Sequence, residues 1–246
     1  MDLNRAAPEP VGFSSERLDR ISGVMQGCVD AGRPPGIITL VARRGKVVHF
    51  ECFGLSDVEA GTPMRPDTIL RIYSMTKPIT SVALMMLFEE GRFVLGEPVS
   101  KYIPAFKDLK VYAGATESGY DVVDLEREVT IQDLLTHTAG LVYGLWPLSP
   151  VDELYQAAGL FGSSGTRLPL PEFVQRVTGL PLARQPGAAF CYSVAHDVLG
   201  YLISVLADRP FDAFLQESIF GPLGMVDTGF YVPEEKLDRF AALYDG

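Results

Sequence analysis

Ser74 and Lys77 are the two residues of this chain whose types and spacing could do chemistry together. Three positions apart on a helix, a hydroxyl and an amine share one face. A serine hydroxyl becomes a nucleophile when a neighbouring group takes its proton. A lysine pressed toward its neutral form by burial and by the positive end of a helix can be that group. The flanking sequence predicts a helix start at this point. A short apolar run ends at Tyr73, and Ser is a good residue for opening a helix. Pro78 is tolerated only in the first turn or so. Val82, Leu84, Met85, Leu87 and Phe88 then carry an apolar helical pattern up to Gly91, a C-cap candidate. The spacing alone decides little. From the numbers of Ser and Lys present, chance supplies about 0.3 Ser-x-x-Lys matches. An N-capping Ser followed by a solvated Lys is the bland alternative.

The elements that must position such a pair follow from composition and pattern. At 246 residues the chain can bury a large core as one domain or two intimate lobes. A net charge of −10 argues against nucleic acid or an anionic membrane as partner, because both need clustered Lys and Arg. No run of 18 apolar residues occurs and the first ten residues carry no apolar leader region, so the expectation is a cytoplasmic protein without a membrane span. Cys28, Cys52 and Cys191 are too few and too scattered for a disulfide framework or a zinc site. His49, His137 and His196 match no metal-ligand spacing, and no cofactor is implied.

A helix is expected from Ser14-Ser15, with Leu18, Ile21, Met25 and Cys28 as its apolar stripe. Gly36 to Ala42 and Val47 to Phe53 read as two strands around the turn Arg43-Arg44-Gly45-Lys46. Polar residues 117 to 128 read as an exposed excursion. Thr130 to His137 is a short capped helix, 146 to 166 is irregular with helical patches, and Pro171 to Val177 is helical. A helix follows from about Val194, with Val198, Leu199, Leu202, Ile203 and Leu206 facing in, and Phe211 to Ile219 is amphipathic. Two strands do not make a stable sheet alone.

Four segments, taken in order, resemble the penicillin-recognising serine hydrolases, that is, the β-lactamase and DD-peptidase fold, and within it the family VIII carboxylesterases. They are Ser74-Met75-Thr76-Lys77, Leu134-Leu135-Thr136-His137-Thr138-Ala139-Gly140-Leu141, Gln185-Pro186-Gly187 leading to Tyr192-Ser193 and Asp197-Val198-Leu199-Gly200, and Pro222-Leu223-Gly224-Met225. The resemblance implies an α/β (α+β) fold, with an antiparallel sheet lobe flanked by helices and a mainly helical lobe. One catalytic domain would then fill residues 1–246, with sublobes at 1–73 and 74–246. The resemblance also implies that the remaining central strands, the family's third motif and the second oxyanion donor lie beyond residue 246, in further chain or on a second polypeptide. Whether the protein forms a homo-oligomer is left open.

By the same resemblance Ser74 is the nucleophile and Lys77 and Tyr192 share its proton, one as base and one as acid. The Ser74 backbone N–H is the first oxyanion donor. Tyr143, Trp146, Tyr155, Val194 and His196 are expected pocket-lining residues. The family's second motif usually has a polar third residue, and Val194 stands there. This departure favours hydrolysis of small short-acyl esters over the alternatives of a β-lactamase or DD-peptidase, an acyltransferase of the same fold, and an inactive fragment. His137 could serve as a base by its chemistry, but its Thr-His-Thr setting in the family is a structural turn. No Gly-x-Ser-x-Gly occurs, so a Ser-His-Asp hydrolase has no support.

Overall fold

A computed structural model of the protein describes residues 3–160 and 168–244. The last residues of the stretch expected to be irregular, 161–166, lie outside the described residues. The chain divides into two compact units, Met1–Ile72 with Gly229–Gly246 and Tyr73–Thr228.

In the first unit the Ser14 side chain accepts the Arg17 N–H and starts α1 (Ser15–Asp30). Strands β1 (Gly36–Arg43) and β2 (Lys46–Asp57) form an antiparallel hairpin, with Ile38 opposite Cys52 and Leu40 opposite Phe50. Arg44 and Gly45 both take positive φ, 52° and 69°, which makes the two-residue turn whose twist matches that of the strands. A short β3 (Thr62–Pro63) extends the sheet in the order β1-β2-β3. The tail from Gly229 belongs to this unit, although the sequence placed it with the helical portion. Ile69 N–H donates to Arg239 O at 2.8 Å, and Ala241 N–H donates to Ile69 O at 3.0 Å. The Arg71 guanidinium lies 4.0 Å from the centroid of the Phe240 ring. These bonds join residues far apart in sequence, and no local pattern announces them.

The second unit contains α2 (Thr76–Glu89), β4 (Lys110–Thr116), β5 (Gly119–Asp124), α3 (Ile131–Leu135), α4 (Pro150–Ala157), α5 (Leu170–Thr178), α6 (Ala195–Ala207) and α7 (Phe211–Leu215). Helix α6 is its axis. Val198, Leu199, Leu202 and Ile203 are fully buried, Leu206 nearly so, and α2, α3, α5 and α7 pack around them. Burying each such side chain contributes about 1.5–3 kcal/mol. On α2 the buried face is Thr80, Ala83, Leu84 and Leu87, while Val82 is exposed. The helix begins two residues later than expected, because Ser74 sits in a 3-10 turn, Tyr73–Met75, ahead of it.

The segment expected to be an exposed excursion is exposed, and part of it forms the second strand of a hairpin, β4–β5, which was not expected. Every residue of β5 is exposed, so it has no apolar alternation to reveal it. The ladder itself, the Lys110–Asp124 ion pair and the Tyr112–Tyr120 ring contact hold it in place. The hairpin is tied to the core where Tyr112 N–H donates to Leu182 O and Leu182 N–H donates to Lys110 O, each at 2.8 Å.

Asp133 fastens the segment that precedes the site. Its carboxylate accepts two bonds from Arg127, at 2.6 and 2.8 Å, and closes a capping box with Thr130. Burial alone would raise its pKa, but the Arg127 and Thr130 hydrogen bonds outweigh burial and hold it at about 2. Asp133→Ala removes both the cap and the buried acceptor. It is expected to cost about 2 kcal/mol or more in urea unfolding. An unchanged midpoint would show that the pair contributes nothing.

Candidate active site

Ser74 is exposed on its 3-10 turn, and the residue before it, Tyr73, is held at φ 41°. A bulky residue in that region stores strain of roughly 1–3 kcal/mol and turns the chain sharply. Lys77 stands in the first turn of α2, where its Nζ lies 3.3 Å from Ser74 Oγ. Ser74 Oγ is 2.6 Å from the Tyr192 hydroxyl, and either oxygen can donate. The lysine ammonium also faces two aromatic rings, 4.7 Å from the Tyr192 centroid and 5.4 Å from that of Tyr143. These two rings are stacked, 5.3 Å apart and 2° from parallel.

Local structure fixes each partner. Gly140, at φ 82°, lets the chain pass so close to Arg184 that a Cβ there would meet its carbonyl oxygen at 2.2 Å. The following Val142 O accepts Val194 N–H, and Thr138 O accepts Gly187 N–H at 2.8 Å. Together these bonds lay residues 138–142 along residues 183–194. Beside Tyr143, the Gly144 N–H donates to the Asp152 carboxylate at 2.9 Å, and the same carboxylate caps α4 through Ser149. Helix α4 thereby anchors the main chain next to Tyr143.

The electrostatics centre on Lys77. Burial pushes the Tyr192 phenol up, but hydrogen bonds from Lys77 and Ser74 and the lysine charge bring its pKa below that of an ordinary phenol. Tyr143 moves the other way, up to about 12, through burial and the nearby Asp197 and Tyr192. His137 is lowered by burial and then by Lys77. His196 is lowered to about 4 by burial, then by His137 and Lys77. Burial raises Asp197, against the pull of Lys77. Of the two stacked phenols, Tyr192 is thus the more acidic and Tyr143 the less.

The sequence-predicted residues divide. Ser74, Lys77 and Tyr192 come together, with Tyr143 stacked on Tyr192 and the exposed Trp146 next to Tyr143 at 6.2 Å. Tyr155 and Val194 do not line a pocket; both are 0% exposed in the apolar core. His196 is half-buried, with Nε2 3.1 Å from Ser81 Oγ, and so links α6 to α2. That link and the influence of Asp197 were not foreseen. Ser81 lies four residues after Lys77 on the same helix face, which is the signal that could have shown it.

The beta-lactamase family model matches residues 21–246. The chain belongs to the beta-lactamase family. Its fold is that of the family, a β-lactamase/transpeptidase-like arrangement of antiparallel sheet and helices. Among its relatives, Protein Rv1367c of Mycobacterium tuberculosis is 36% identical over 92% of this chain and 55% of its own. Esterase EstB of Burkholderia gladioli is 34% identical over 98% of this chain and 59% of its own. The solved structure of EstCE1, a hydrolase with promiscuous acyltransferase activity, superposes with a TM-score of 0.78 at 31% identity, covering 92% of this chain and 56% of that one. The chain thus spans little more than half the length of these family members. Among the described residues no helix is long and apolar enough to cross a membrane.

His196 makes a prediction about acid stability. Its folded pKa lies below the unfolded value of about 6.5, so neutral His196 contributes stability that is present above that value. The contribution is lost as pH falls through the folded value of about 4. His137 acts in the same direction. The thermal midpoint is expected to fall across this window, and less steeply in His196→Gln. An equal slope in the variant would exclude the assignment.

Proposed function

We propose that the protein is a serine hydrolase that cleaves small short-acyl carboxylic esters through an acyl-enzyme at Ser74. The observation that carries this reading is the exposed Ser74 hydroxyl held at once by Tyr192, at 2.6 Å, and by Lys77, at 3.3 Å. A nucleophile within hydrogen-bond reach of a base, with that base tuned by a third group, is the arrangement acyl transfer needs. The names of two relatives, an esterase and a hydrolase with acyltransferase activity, support the same chemistry. The family's second motif usually carries a polar residue where Val194 stands, and this departure favours esters over β-lactams and peptidoglycan peptides.

In this mechanism Ser74 Oγ attacks the ester carbonyl as its proton passes to Tyr192, whose phenolate is stabilised by the Lys77 ammonium. The Ser74 N–H stabilises the oxyanion. Tyr192 then gives the proton to the leaving alkoxide, leaving the acyl group on Ser74. Water, deprotonated by the same pair, releases the acid. An alcohol taking the place of water would give a new ester. This is the second reading, and the promiscuous acyltransferase activity of EstCE1 favours it.

Ser74→Ala is expected to reduce turnover of p-nitrophenyl butyrate by roughly 10³-fold or more with unfolding unchanged. Turnover at the wild-type rate would refute the assignment. In the unsubstituted protein kcat/KM should rise with pH through an ionisation below that of a free phenol, and Tyr192→Phe should lose that limb. Added short alcohol diverting product from acid to ester would support transfer.

A further inference from the structure

His137 is not spent on the reaction, yet it touches the chain on both sides of Tyr192. Its main-chain oxygen accepts the Cys191 N–H at 2.7 Å. Its ring Nδ1 accepts the Ser193 N–H at 3.2 Å and lies 3.1 Å from the Ser193 hydroxyl. The two residues flanking Tyr192 thus hang from one residue 56 positions before Ser193. The His137 ring also packs on the Tyr192 ring, 5.0 Å between centroids.

These contacts fix the state of the imidazole. A backbone N–H always carries its proton, so the Nδ1 that meets it is a bare acceptor. The ring proton therefore sits on Nε2, and the ring is neutral. The depressed pKa of His137 agrees with this. The groups that face the ring are Lys77 from α2, His196 from α6, and Tyr192 and Phe190 from the segment it holds. Of these, His196 is kept neutral by burial, and Lys77 opposes any second cation.

The backbone of His137 is turned for the task. At φ 55° it occupies the left-handed region, where its carbonyl and its ring nitrogen both reach the 191–193 segment. The ring of His196, tied to Ser81, packs on it with centroids 4.9 Å apart. The Tyr192 hydroxyl is at the far end of a long side chain. A small rotation of the main chain at Cys191–Ser193 therefore swings it away from Ser74.

We infer that His137 is a positioning residue, which holds the main chain at Tyr192 so that the phenol oxygen stays within hydrogen-bond reach of Ser74 and Lys77. It acts through Tyr192 and touches no substrate. The inference rests on the proposed role of Tyr192.

The test compares His137→Ala, which removes the ring acceptor, with His137→Asn. An Asn carbonyl oxygen stands where Nδ1 stood, and Asn tolerates positive φ. The first readout needs no turnover: the ultraviolet absorbance of tyrosinate, titrated against pH and differenced against Tyr192→Phe, isolates the Tyr192 step. That step should lie below an ordinary phenol in the unsubstituted protein, move up in His137→Ala and return in His137→Asn. On p-nitrophenyl butyrate, His137→Ala should lower kcat by roughly 100-fold, the effect of about 1 Å of misplacement. His137→Asn should recover most of that loss. In a Tyr192→Phe background, His137→Ala should cost nothing further.

An unmoved Tyr192 step in His137→Ala, or a full second loss on top of Tyr192→Phe, overturns the inference. If His137→Ala does not fold, His137→Asn carries the test alone, and a displaced Tyr192 step at an unchanged melting midpoint contradicts it. Full activity in Tyr192→Phe would instead remove the reading of Tyr192, and the inference with it.

Discussion

A single hydrogen bond of 2.6 Å, from Ser74 to Tyr192, joins residues 118 positions apart, and the second unit is built so that it can form. One end stands just ahead of α2 and the other just ahead of α6, and these two helices pack on one another. Ala83 and Leu84 of α2 and Val198 and Leu199 of α6 are buried in one apolar core, and Ser81 meets His196 between the two helices. Interiors packed at crystal-like density do not deform continuously. The distance between the helix starts is therefore set by the core and not by the two side chains that meet there.

Around that bond the charge is arranged economically. Lys77 is the cation next to Ser74, and its neighbours are rings: Tyr143 and Tyr192 on its own side, His137 and His196 beyond. Burial keeps the histidines neutral and raises Tyr143, so the phenol that responds to the ammonium is Tyr192. Asp197 lies near enough to influence both Tyr143 and Tyr192, and its own burial works against its negative charge. Pairs of groups whose environments drive their pKa values apart mark where acid and base are separated.

Particular residues show what was legible in the sequence. Helix α6 was readable because its apolar period is strong and every expected residue on it is buried. Ser74 and Lys77 were readable because they are local. Tyr192 was reached only by the likeness of its surroundings to a family, since no spacing rule joins position 192 to position 74. The hairpin β4–β5 was lost because its stability lies in main-chain pairing and an exposed ion pair, not in an apolar pattern. Tyr155 and Val194 were misplaced for the opposite reason. Nearness in sequence to a motif suggested a pocket wall, while their burial is decided by helices elsewhere in the chain. His137 lay in plain sight as part of a turn, but its grip on both neighbours of Tyr192 needed coordinates.

All of the proposed chemistry turns on Ser74 carrying the acyl group, with its proton managed by Tyr192 and Lys77. Intact-protein and peptide mass spectrometry after rapid acid quench, during turnover of p-nitrophenyl butyrate, observes that acyl group itself. One butyryl adduct is expected, on the peptide containing Ser74, forming and decaying with turnover and absent from Ser74→Ala. A transient adduct on any other residue, or turnover with no adduct forming at Ser74 under conditions where deacylation is slowed, would contradict it.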